Sequence, residues 1–128
     1  MNDLEQTFIT KCVIKEKQER LLFELNGKKR HDGIGRFSHS TDELIKPNRI
    51  LLKAPASQEE ILSVIGKPVA NCRIIAYNES LDKKECTFDE ALDMVLGNGM
   101  PAIIIADSFA VIETEQCYGT PMRYIVEK

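Results

Sequence analysis

The chain has 128 residues, 43% of them hydrophobic and 29% charged, with a formal net charge of −3 at pH 7 and a pI near 5.4. This balance excludes a disordered, collagenous or membrane-spanning chain, and no apolar run approaches the roughly 18 residues of a transmembrane helix. A chain of this length buries about two thirds of the surface its unfolded form exposes, so a single domain with one core is expected.

The first five residues are polar and acidic, whereas a secretory signal needs a basic start followed by an apolar segment, and a cytoplasmic location is the expectation. Cys12, Cys72, Cys86 and Cys117 are scattered, without a C-x-x-C or a close Cys-His pairing. They spell out neither a zinc site nor a dithiol motif and read as reduced, small apolar fillers. Charge is divided along the chain: residues 1–78 carry 13 Lys/Arg against 10 Asp/Glu, and residues 79–128 carry 4 against 10.

In chain order, Asp3 offers a cap for a helix starting at Leu4, and Leu4, Phe8, Cys12, Leu21, Leu22 and Leu25 keep helical spacing. One long helix over about residues 4–26 is predicted, with residues 11–13 as the alternative point of a break and a stop at Asn26-Gly27. Residues 32–35, Asp-Gly-Ile-Gly, read as irregular. A short helix follows through Ile45, ended by Pro47. The run 49–53, between Pro47 and Pro55, reads as a strand. Ser57 with Glu60 forms a capping box for a helix ending at Gly66.

Residues 71–77 give a second strand, and 78–86 a polar connection. Thr87 with Glu90 repeats the capping box for a helix that stops at Gly97. The aliphatic run 102–106 has the character of a strand covered on both faces. An alternating strand at 109–115 and a final one at 121–126 complete the chain. The expected architecture is α+β: a helical N-terminal part, residues 1–46, and a mixed part, residues 47–128. About five strands form a mixed sheet in the order α-α-β-α-β-α-β-β-β, with crossovers of the parallel type followed by an antiparallel meander.

Chemistry concentrates at residues 28–39, which hold four cations, both histidines, two glycines and Phe37. Lys29, Arg30 and Arg36 with Phe37 are candidates for binding a phosphate-bearing ligand or RNA, the cations for charge and the ring for stacking. His31 and His39, with Arg36 to stabilise a developing anion, are weak candidates for acid-base catalysis. Lys28 to Arg30 also suit the carbonyl end of the preceding helix, and Gly-Ile-Gly lacks the strand context of a dinucleotide fingerprint. His31, Asp32, His39 and Asp42 have metal-ligand chemistry without a metal-ligand spacing, so no metal or cofactor is expected. Cys86, after Lys83 and Lys84, has too little basic context to be read as a nucleophile.

The acidic half points to another class. Residues 79–116 contain nine carboxylates and two lysines, and Asp89, Glu90, Asp93, Glu113 and Glu115 are the candidates for holding a basic protein partner. The first reading is therefore a small non-catalytic binding or regulatory protein, of the kind that neutralises a basic nuclease or toxin. The second is a binder of, or enzyme on, a phosphate ligand through residues 28–39. No membrane association is expected.

Overall fold

The computed structural model describes residues 2–66, 71–115 and 119–128. Four helices lead: α1 (Asp3–Cys12), α2 (Lys15–Leu25), α3 (Arg30–His39) and α4 (Thr41–Leu44). A 3-10 turn, Pro47–Arg49, enters β1 (Ile50–Ala54), followed by α5 (Gln58–Ile65), β2 (Cys72–Ala76), β3 (Glu85–Cys86) and α6 (Phe88–Val95). Strands β4 (Ala102–Ile105), β5 (Phe109–Glu113) and β6 (Arg123–Glu127) complete a single-domain α+β fold. None of the described helices is long and apolar enough to cross a membrane.

The predicted 4–26 helix is two helices. Val13 and Ile14, β-branched and stiff at χ1, are extended at the junction, and Val13 bridges to Ile45. The Ile14 amide donates to the Leu44 carbonyl and the Lys46 amide to the Cys12 carbonyl, so α4 returns to clamp the break. Asn2, not Asp3, caps α1, its side chain accepting from the Leu4 and Glu5 amides.

Residues 32–35, expected to be irregular, lie inside α3. Two glycines weaken a helix, but Ile34 and Phe37, one turn apart, are both buried to 4% exposure. The glycines serve packing: a Cβ on Gly33 would stand 3.0 Å from the Glu24 Cβ on α2, and one on Gly35 3.2 Å from the Tyr77 ring. Tertiary contact outweighs local propensity here. Both predicted capping boxes form, Ser57 with Glu60 and Thr87 with Glu90, and α5 ends at a left-handed Gly66 with φ 73°.

The sheet departs from the expected mixed, five-stranded form. It has six strands in the order β1-β6-β5-β4-β2-β3, and every neighbouring pair is antiparallel. β1 and β2, joined through α5, do run in the same direction, but β6, β5 and β4 lie between them. β3 reverses the chain before α6, so the strands that α6 joins, β3 and β4, share a direction with β2 between them. The polar connection of residues 78–86 concealed this two-residue strand. At its turn the Lys83 amide and the Lys84 carbonyl both bond Ile74, and Lys83 takes the positive φ of 70° that a bulge of this kind usually assigns to glycine.

Alternation along the strands sorts the core into two clusters. Ile75, Ile103, Ile105, Ala110, Ile112 and Val126 meet the N-terminal helices on one face. Ile74, Ile104, Phe109, Val111 and Ile125 meet α5 and α6 on the other. The molecule therefore has three layers, with helices on both faces of the sheet.

Candidate functional site

The two charged regions singled out by the sequence belong to opposite layers. Residues 28–39 lie in the N-terminal helical layer, where α3 directs its polar side chains to different partners. His31 stacks on the Tyr77 ring, with centroids 3.8 Å apart, and its Nε2 is 3.0 Å from the Tyr77 carbonyl oxygen. That oxygen can only accept, which assigns the proton to Nε2. Arg36 pairs with Glu24 of α2. His39 is 72% exposed and reaches Glu115 at 3.2 Å. The two histidines and Arg36 thus face three separate places and form no shared pocket.

The remaining candidates of this stretch are also redistributed. Phe37 is buried edge-on against Phe8, with centroids 6.3 Å apart, so it cannot stack on a base. Lys29 is exposed at the start of α3. Arg30 is enclosed, 11% exposed, and all five of its N–H groups are occupied. Nε and Nη2 donate to Asp82, Nη1 and Nη2 to Glu5, and Nη1 also to the Leu25 carbonyl. Burial opposes this charge, but the hydrogen bonds it donates to Asp82 and Glu5 hold the guanidinium well above its ordinary pKa. Arg30 is therefore removed from the candidate ligand cations.

Glu5, which the sequence reading took only as part of a polar terminus, is the centre of this cluster. It is 1% exposed and also accepts from Arg73 Nε at 2.8 Å, while Arg73 Nη1 donates to Glu85. Asp82 additionally accepts from the Ala76 amide. The cluster ties α1, α3, β2 and the β2–β3 turn together, Glu5 and Arg73 alone being 68 positions apart. Its members came from four segments, and no local pattern could have united them.

Two cavities in this layer are small. One of about 160 Å³ lies between α2, α3 and α4, bordered by Leu21, Glu24, Arg36 and Phe37, and one of about 250 Å³ lies beside Glu5, Arg30 and Lys83. Both fall below the roughly 300 Å³ at which small-molecule pockets begin. Among the described residues no group of three or more His, Cys, Asp or Glu is arranged to hold a metal.

On the opposite layer, Asp89, Glu90 and Asp93 of α6 are exposed. Glu59 and Glu60 of α5, overlooked because the acidic count began at residue 79, are also exposed. Gln58 Nε2 donates to Asp93 Oδ1 at 3.2 Å and joins the two helices. Neither α5 nor α6 contains a lysine or arginine, so the pair carries five carboxylates with no internal cation. Hydrogen bonds from Thr87 hold the Glu90 carboxyl below its ordinary pKa, so it stays ionised.

Two acidic candidates do not join this face. Glu113 is 1% exposed, opposite Arg123 on β6, with the Arg123 Nε 2.6 Å away and the Gly97 amide donating to its other oxygen. Burial raises its pKa against the pull of Arg123. The alternating pattern predicts a partner-binding surface carboxylate, whereas helices cover both faces of β5. Glu115 lies by α3, its amide donating to Ser38 and its carboxylate facing His39.

No family model, curated protein or solved structure matches the chain.

Proposed function

We propose that this protein is a non-catalytic binding module that engages a basic protein partner through the outer face of α5 and α6, in the manner of an inhibitor of a basic enzyme. The observation that carries this reading is the pairing of two cation-free helices, joined by Gln58 and Asp93, with Glu59, Glu60, Asp89, Glu90 and Asp93 exposed. A single-sign surface steers an oppositely charged partner and fixes its orientation. Leu62 and Val64 on α5, 37% and 47% exposed, add apolar contact area. The dispersal of His31, Arg36 and His39 favours this reading over catalysis at residues 28–39.

The test is association with a panel of small basic proteins at low and high salt, for the natural chain and for one carrying Glu59→Gln, Glu60→Gln, Asp89→Asn, Glu90→Gln and Asp93→Asn. These replacements keep shape, and glutamine still serves a capping box. Binding should weaken with salt and fall at least about tenfold in the neutralised chain. Salt-independent binding, or equal binding by both chains, would overturn the proposal.

A further inference from the structure

Cys72 and Cys86, 14 positions apart in a sequence that gives them no motif, are direct partners across the antiparallel β2–β3 pair. Side chains of directly paired residues project from the same face of a sheet. Both belong to the cluster under α5 and α6, Cys72 buried at 1% exposure and Cys86 only partly covered. Ile74 bonds Lys84 across the same two strands, and Cys72 with Cys86 lies two residues along, at the position of the same type. Such pairs hold their Cα atoms about 5.5 Å apart, inside the disulfide range of about 4.4–6.8 Å. β3 is a two-residue strand at the edge of the sheet, paired with β2.

We propose that Cys72 and Cys86 form a redox-active dithiol that closes to an intramolecular disulfide by exchange with a low-molecular-weight disulfide such as oxidised glutathione. Cys86, the more exposed, loses its proton and attacks one sulfur of the oxidant. The oxidant's S–S bond breaks, and the departing glutathione thiolate takes up a proton. Cys72, deprotonated in turn, attacks the Cys86 sulfur of the mixed disulfide. The Cys72–Cys86 bond forms and a second glutathione thiol leaves. The two protein thiols lose two electrons and two protons, and the oxidant gains them as two thiols.

Closure would staple a hairpin whose turn holds Asp82 on Arg30 and Tyr77 on His31, and whose end adjoins Thr87, the cap of the acidic helix. It does not depend on the charge reading of that helix. Burial pushes the Cys72 thiol up to about 11, with Cys86 and Asp107 adding to it. Burial and Glu90 raise Cys86 against the pull of Lys84. Since the thiolate is the attacking species, closure should speed up as pH rises.

The experiment incubates the full, folded chain with oxidised glutathione, alkylates the remaining thiols and maps peptides without reduction. The expected result is a peptide linking Cys72 to Cys86, from a product about 2 Da lighter than the dithiol, formed faster at higher pH. In a Cys72→Ser chain the glutathione adduct on Cys86 should persist, because the resolving thiol is gone. A lasting glutathione adduct on Cys86 in the natural chain would overturn the proposal. So would both thiols remaining alkylatable at saturating oxidant while circular dichroism reports a folded chain.

Discussion

Glu5 on α1 and Arg30 on α3 meet as a two-pronged ion pair, Nη1 to Oε1 at 2.9 Å and Nη2 to Oε2 at 3.2 Å, with Glu5 1% exposed. Arg73 of β2 shares the same carboxylate. Removing one member of a buried ionic cluster leaves its partners desolvated and uncompensated, at a cost of about 3–5 kcal/mol. Glu5→Gln should therefore lower the free energy of unfolding by about 3 kcal/mol in urea titrations. A change below about 0.5 kcal/mol, typical of a surface substitution, would show that the cluster does not hold the N-terminal helices on the sheet.

Gly33 gives a prediction in which packing and propensity have opposite signs. Alanine at an exposed helical site is worth about 1 kcal/mol over glycine. At Gly33 the added methyl would meet the Glu24 Cβ at 3.0 Å, on a side chain already held by Arg36. Crowding of this kind typically destabilises by about 1–3 kcal/mol. Gly33→Ala should lower the melting temperature despite its better helix propensity. A rise would mean that α2 and α3 have room to separate.

Tyr124 supplies a test by pH. Its phenol donates to Asp42 Oδ1 at 2.7 Å, with Lys53 Nζ on the other carboxylate oxygen. Burial, then the Asp42 carboxylate, raises the phenol above its ordinary 10.0. A pKa raised in the folded state stabilises fully below pH 10.0 and loses that contribution as pH rises through the folded value. Asp42→Asn removes the anion that opposes phenolate, so ultraviolet titration should find Tyr124 ionising at lower pH in the variant. An unchanged titration would separate Asp42 from the shift.

What the sequence revealed followed from local physics. Both capping boxes and the apolar stripe of α6 depend on residues three or four apart, and both helices formed where predicted. The long aliphatic run 102–106 was recognisable as a strand buried on both faces, and β4 is covered on both. Strand pairing was not legible, because β1 pairs with β6 through residues 69 to 76 positions apart. Nor was α3, whose glycines argue for a loop unless Glu24 and Tyr77 are known to press against them.

The candidate site divided in the same way. Asp89, Glu90 and Asp93 were identified because they crowd one helix, whereas the link from α5, which carries Glu59 and Glu60, to α6 runs through the Gln58–Asp93 hydrogen bond, which joins residues 35 positions apart. Glu113 shows the converse: its place on an alternating strand made it a candidate for holding a partner, but it is buried because helical layers cover both sides of β5. Cys72 and Cys86 become a pair only when the β2–β3 register is known.

The central claim, that a basic partner is held on α5 and α6, is tested most directly by mapping the footprint. Amide hydrogen exchange should be measured on the chain alone and in complex with the tightest binder of the basic-protein panel. A partner held on this face should add protection concentrated in Gln58–Ile65 and Phe88–Val95, diminished in the neutralised chain. Protection confined to Arg30–His39, with α5 and α6 unchanged, would contradict it.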